Sequence, residues 1–306
     1  LPDVEFNEMN FPLFFQFKRL RQNSGGPGRH RGGLGLEYAW SIYGVPEMNT
    51  VLFNQRHAVP HIGMFGAPLV SSCTFIHFKD SDVKERVEAQ VFHPITLEDI
   101  PGEQIVTSVN DQTTILSDRD VFYVANLGGG GYADPASRDA ALVAKDVREE
   151  WIDRAQAEFV YGVVVDDQGQ IDEAATKATR DIIRKKRLAR AVDGTCQNHL
   201  AGTKEAVAYH HSPAIDIGRY DGNLMYQCAE TAVIIGPAQK NWKKMVPRIE
   251  RRIDQSYLED HVAEIGIRTD PALISREYIC PVSGVLLEVE LAVEGDPIEH
   301  DCRPAH

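Results

Sequence analysis

Val121-Phe-Tyr-Val-Ala-Asn-Leu-Gly-Gly-Gly-Gly-Tyr-Ala-Asp-Pro135 is where the chain changes its period. The first five residues are apolar and mostly β-branched or aromatic, the composition of a buried strand. The glycines that follow free the backbone, and Asp134-Pro135 reads as a strand-to-helix turn. Upstream, similar short runs at 36–43, 49–53, 74–78, 87–92 and 104–109 predict strands, so the first 130 residues read as mainly β. Downstream, Leu142, Val143 and Val147, then Trp151, Ile152, Ala155 and Phe159, recur at three and four residues. That spacing predicts two short helices broken near Glu149. Residues 161–165 read as a short buried strand. Asp172 is placed to cap a third helix reaching about Arg190, with Ala174, Ala175, Ala178, Ile182 and Ile183 as its apolar stripe.

Composition shifts near residues 192–194, which divides the chain into units 1–192 and 193–306. In the second unit, 232–235 and 285–291 read as strands. A helix is expected from 239 to about 264, with Val246, Ile249, Ile253 and Tyr257 on one face and Pro247 kinking or starting it. The fold class is therefore α+β: a mainly β N-terminal part with a helical segment, followed by a small α+β module.

The 306 residues carry 32 Lys+Arg against 45 Asp+Glu, a net charge of −13. Such an acidic chain disfavours nonspecific nucleic-acid or membrane-headgroup binding. No run approaches the ~18 apolar residues of a membrane span. The opening LPDVEFNEMN lacks the basic and apolar regions of a secretory signal. Leu1 in place of Met predicts a processed piece or a fragment, and a cytoplasmic location is expected. Five Cys, an odd number in a chain too large to need disulfides, fit reduced thiols or metal ligands.

The most distinctive segment is Arg21-Gln-Asn-Ser-Gly-Gly-Pro-Gly-Arg-His-Arg-Gly-Gly-Leu-Gly35. Two readings stay open. Asn23, Ser24, Gly25 and Gly26 could form an anion-binding nest, with Arg21, Arg29 and Arg31 supplying charge and Gly129 and Gly130 approaching the same ligand. Alternatively the glycines are tight turns that let backbones pack closely, with the arginines pairing carboxylates. No Gly-Lys-Ser/Thr ends the run, which excludes a P-loop. Cys73 reads as core, 210–216 as a turn before a strand, and the basic run Arg184 to Arg190 as a solvated helix end.

The two glycine blocks together resemble the hydantoinase B / 5-oxoprolinase family. The first block is the segment just quoted. The second is Asn126-Leu-Gly-Gly-Gly-Gly-Tyr-Ala-Asp134-Pro with Arg138, Val143, Asp146 and Tyr161-Gly-Val-Val164, and Ala133 stands where that family has Gly. The resemblance covers about residues 11 to 190 and implies a segment from the C-terminal half of the family's large chain. It implies catalysis with a hydantoinase A-like ATPase partner in a hetero-oligomer acting on a small-molecule substrate. ATP and a divalent metal would then sit on other parts of the complex, because the family's His/Asp-rich metal segment is not upstream of the first block here. Cys280-Pro-Val-Ser-Gly-Val-Leu-Leu-Glu-Val-Glu290 is similar to the small, zinc-binding γ-type subunit of acetone and acetophenone carboxylases. Ser283 replaces the second Cys of that subunit's Cys-Pro-x-Cys-Gly knuckle. The pairing implies the ATP-dependent, biotin-independent carboxylase branch, with cyclic amide hydrolysis and a non-catalytic scaffold as alternatives. Cys228, Cys280, Cys302 and His300 are the expected ligands of a structural zinc, with Cys196 and His199 a second pair at workable spacing.

Overall fold

The computed structural model describes residues 3–51, 61–70, 72–106, 113–192, 194, 204–253 and 272–300. Helix α1 (Val4–Asn10), capped by the Asp3 carboxylate on the Phe6 amide at 2.8 Å, leads into β1 (Leu13–Leu20). With β2 (Leu36–Ile42), β4 (Thr74–Lys79), β5 (Glu103–Val106) and β7 (Val121–Ala125), β1 builds a five-stranded sheet in the order β1-β2-β7-β4-β5. β3 (Glu47–Val51) and β6 (Thr113–Ser117) form a separate ribbon.

β7 lies at the centre. Its Val121, Tyr123 and Ala125 enter a core with Ala39, Ile76 and Phe78, while Phe122 and Val124 enter another with Trp40, Ile42 and Phe75. Burial on both faces is why this strand reads as an unbroken apolar run rather than an alternating one.

The strand expected at 87–92 is instead the end of helix α2 (Val83–Glu88) and the turn after it. Val83 and Val87 are four apart and share the same core, and Asp82–Arg86 is an i,i+4 ion pair at 2.8 Å. Gln90, at φ 57°, ends the turn.

The helical segment follows the expected pattern. α3 (Ala140–Arg148), α4 (Arg154–Tyr161) and α5 (Glu173–Arg190) are capped by Asp139, Asp153 and Asp172. Glu150, at φ 58°, separates the first two. Residues 161–165 are not a strand: Tyr161 ends α4, Gly162 takes the left-handed cap at φ 63°, and only Val165 bridges to Ile171.

The C-terminal part contains β8 (Lys204–His210), β9 (Ile215–Tyr220), β10 (Asn223–Cys228) and β11 (Ile234–Pro237) as a meander, and β12 (Arg248–Arg252), β13 (Leu273–Ile279) and β14 (Leu286–Val293) as a second sheet. The helix expected from 239 is a 3-10 turn, Trp242–Lys244, followed by β12. Ile249 and Ile253 are four apart, a spacing that satisfies both periods, and the preceding Pro247 favours extended backbone. Tyr257 lies outside the described residues. Among the described residues this part holds strands and one 3-10 turn, and with the helices of the first part the chain is α+β and mainly sheet, as expected.

The two parts share cores. Leu69 packs with Ile253, Leu273 and Leu291, and Leu188 and Ala191 pack on Ile279, Leu286 and Val289. Asp134, 2% exposed, joins them by hydrogen bonds. Its carboxylate accepts from Arg187 at 2.8 and 3.2 Å, from the Leu286 amide at 3.0 Å and from the Ala136 amide at 2.9 Å.

A buried polar group stiffens the second sheet. Glu290 accepts from Lys243 Nζ at 2.8 Å, Tyr278 Oη at 2.7 Å and Arg276 Nη1 at 3.3 Å. Burial pushes the Glu290 carboxyl up, but these three donors outweigh it and hold the group below the usual glutamate range. A folded-state pKa below the unfolded value contributes stability above about pH 4, lost as pH falls through the folded value. Glu290→Gln should therefore lower the urea midpoint at pH 7, and the gap to the unsubstituted chain should close toward pH 3. A gap constant across that range contradicts the reading. Among the described residues, no helix is long and apolar enough to cross a membrane.

Candidate functional site

β1 ends at Leu20 opposite Leu36, where β2 begins, and Glu37 of β2 pairs with Ala125, where β7 ends. Both glycine-rich segments therefore leave the same end of the sheet side by side. They interlock through their backbones. Gly26 N donates to Gly129 O and Gly129 N to Gly33 O, each at 2.9 Å, and His30 and Tyr132 exchange a pair at 3.1 and 3.0 Å. A Cβ on Gly32 would lie 2.0 Å from the Gly129 carbonyl oxygen, so backbone fills the space a side chain would need. Ala133 adopts the same left-handed region that glycine favours, at φ 63°.

Most of the residues expected to hold an anion have protein partners. Arg21 is buried and donates to Ser72 O at 3.2 Å. Asn23 donates to the Asp153 carboxylate at 2.8 Å and accepts from the Asp153 amide at 3.0 Å. Ser24 donates to Arg21 O at 2.6 Å and accepts from Gly35 N at 2.8 Å. Gly25 is buried with Gly32 O where a Cβ would go. Arg31 pairs with Asp146 at 3.0 Å, a carboxylate that Arg138 also reaches at 3.0 Å, and its guanidinium lies 5.0 Å from the Trp151 ring centre. Of the two open readings, close backbone packing with arginines paired inside the protein describes Arg31, and Arg21 is likewise held by a backbone carbonyl: buried guanidinium groups need partners, and here the protein supplies them.

What remains open is a narrow crest. Arg29 and His30 are exposed, as are Gly33 and Gly129. The Arg29 side chain makes no ion pair among the described residues. Tyr132 packs tilted against His30, ring centres 5.9 Å apart, and edge-on against Phe65 at 5.4 Å. His61 Nε2 lies 3.4 Å from where a Cβ on Gly130 would be. His30, Tyr132, Arg138 and Asp146 were not among the expected site residues, although all four stand inside the two blocks; His61 lies between them.

Of the expected zinc ligands, Cys228 and Cys280 are brought together, both fully buried. His300 lies beyond β14, and Cys302, Cys196 and His199 fall outside the described residues. Among the described residues no group of three or more His, Cys, Asp or Glu could hold a metal ion. Hydrogen bonds from Cys228, Ser283 and Thr231 hold the Cys280 thiol below the usual cysteine range, against its burial; the bond to Cys280 and burial push Cys228 up. Cys73 is core, His210 sits 2.7 Å from Asp216 across the β8–β9 turn, and Arg184 pairs with Glu230.

Residues 1–135 match the hydantoinase B/oxoprolinase family, and residues 217–305 match the acetone carboxylase gamma subunit family. The acetone carboxylase alpha subunit of Xanthobacter autotrophicus is 30% identical over 207 residues, 62% of this chain and 26% of that one. The caprolactamase subunit beta of Pseudomonas jessenii is 32% identical over 185 residues, 58% of this chain and 28% of that one. A nucleotide-free structure of acetone carboxylase superposes with a TM-score of 0.52 at 27% identity, covering 62% of this chain and 27% of that one. The chain thus spans about a quarter of the length of these relatives. It joins a hydantoinase B/oxoprolinase-type segment to an acetone carboxylase gamma-type segment, and it is a homologue of acetone carboxylase and caprolactamase subunits.

Proposed function

We propose that this chain is a component of an ATP-dependent, biotin-independent ketone carboxylase of the acetone/acetophenone type. It would work in a hetero-oligomer with a hydantoinase A-like ATPase chain. The observation that supports this reading is the union of the two segments in one chain, tied through Asp134. A hydantoinase B-type segment is common to carboxylase and lactamase relatives, whereas the gamma-type segment favours the carboxylase side. ATP and its divalent metal are held on other parts of the complex. In this reading ketone enol and bicarbonate are activated by phosphorylation before the carbon–carbon bond forms. Arg29, on the exposed crest beside Gly129 and His30, is the cation available to steady a phosphorylated species.

The test is substrate-stimulated ATP hydrolysis by the chain reconstituted with its ATPase partner. A ketone should stimulate and a cyclic amide should not; the reverse result selects the caprolactamase-type reading. Arg29→Ala should lower the stimulated rate about 10- to 100-fold, the worth of one charge-assisted hydrogen bond, with assembly unchanged by gel filtration. An unaltered rate removes Arg29 from the mechanism. Arg31 is unsuited to this test because its loss would leave Asp146 and Arg138 in a broken buried group. A scaffold role is the second reading, favoured by one observation: the loops use most of their amides and guanidinium groups on each other and on the protein.

A further inference from the structure

Two loops in the C-terminal part repeat one pattern. Cys228-Ala-Glu-Thr-Ala-Val233 and Cys280-Pro-Val-Ser-Gly-Val285 both read Cys-x-x-hydroxyl-small-Val. Their backbones repeat too. The Cys carbonyl accepts from the amide four residues on, Ala232 at 2.8 Å and Gly284 at 3.0 Å. The Cys amide donates to the carbonyl five residues on, Val233 and Val285, at 2.9 Å in both. The hydroxyl accepts from the valine amide at 3.4 Å in both. The fifth residue is left-handed in both, Ala232 at φ 56° and Gly284 at φ 70°.

The loops also meet. Thr231 Oγ1 lies 3.5 Å from Cys280 Sγ, and Cys280 Sγ is hydrogen-bonded to Cys228 and to Ser283 as well. Positions one and four of each loop therefore converge on a single centre of two thiols and two hydroxyls. Four thiolates so placed would make a closed tetrahedral zinc site. The set present does not fit one, because structural zinc takes thiolate, imidazole or carboxylate ligands, and a neutral hydroxyl is a poor substitute. A hydroxyl does suit a sulfur acceptor, to which it can donate its proton.

We propose that this centre is a four-donor metal cage in which a hydrogen-bonded cluster of Cys228, Thr231, Cys280 and Ser283 stands in for the metal. Only two side chains separate it from a zinc site. The inference is independent of the carboxylase reading, since it concerns how the loops are held and not what the complex turns over.

The test compares the full chain with its Thr231→Cys/Ser283→Cys variant, both purified under reductant and supplied with zinc. Zinc per chain and Tm are measured with and without EDTA, and Co2+ is added as a spectroscopic probe. The unsubstituted chain should hold no stoichiometric zinc and keep its Tm in EDTA. The variant should hold one zinc per chain, show thiolate-to-Co2+ charge-transfer bands, and lose Tm when EDTA removes the metal. One EDTA-sensitive zinc in the unsubstituted chain overturns the proposal and points to Cys302 or His300 as further ligands. A folded double variant that binds neither ion overturns it as well. Should the double variant not fold, Ser283→Cys alone carries the test: thiolate–Co2+ bands support convergence, and a folded, spectrally silent protein refutes it.

Discussion

Gly131→Ala should yield no soluble folded chain, whereas Gly33→Ala should keep the urea midpoint of the unsubstituted protein. A Cβ on Gly131 would lie 1.9 Å from the Pro27 carbonyl oxygen, 2.5 Å from its carbon and 2.7 Å from Gly26 O. All three neighbours are backbone. They are fixed by the Gly26–Gly129 and His30–Tyr132 hydrogen bonds, so relief requires breaking the lock between the loops. Overpacking costs about 1–3 kcal/mol where side chains can yield; rigid main chain raises that toward the ~5–15 kcal/mol total stability of a protein. A Cβ on Gly33 meets nothing within 4 Å. The two substitutions sit in the same pair of segments, so composition cannot explain a difference between them. Soluble yield and urea unfolding measure it. A soluble Gly131→Ala chain with an unchanged midpoint would mean the loops are held apart.

Asp134→Ala is expected to cost about 3–5 kcal/mol, the range for removing one partner of a buried ion pair. Arg187, with 13% of its side chain exposed, would lose its carboxylate, and the Leu286 amide would lose its acceptor. Because Leu286 belongs to β14 and Arg187 to α5, the loss should loosen the gamma-type segment from the hydantoinase B-type segment. Asp134→Asn, which keeps the shape but not the charge, should cost less. An Asp134→Ala urea midpoint within error of the unsubstituted chain contradicts the stated role.

Much of the architecture was legible in the residues. α5 announced itself by Asp172 at its start, a 3.6-period stripe and a basic last turn, and β7 by apolar content on both faces. Two of the misread elements share a cause. Val83/Val87 and Ile249/Ile253 are each four apart, a spacing compatible with either period, and tertiary packing decided between them. The site was half legible. The glycine spacing revealed that something approaches each loop closely, but another loop and a ligand demand the same residue. Asp146, nearly two turns into a helix more than a hundred residues downstream of Arg31, gave no local sign that it would claim that guanidinium. Thr231 was missed because a lone Cys-x-x-Thr means little until the parallel Cys-x-x-Ser of residues 280–283 faces it across 3.5 Å.

Joined by shared cores and the Asp134 contacts, the two family segments should unfold as one unit rather than as two tethered ones. The chain has three tryptophans, with Trp40 and Trp151 in the first segment and its neighbouring helices and Trp242 in the gamma-type segment. Fluorotryptophan labelling lets 19F NMR follow each along a urea titration without substitution. The shared cores and the Asp134 contacts predict one common midpoint for all three resonances, shifted together to lower urea by Asp134→Ala. A Trp242 transition at its own midpoint, indifferent to Asp134→Ala, would contradict it.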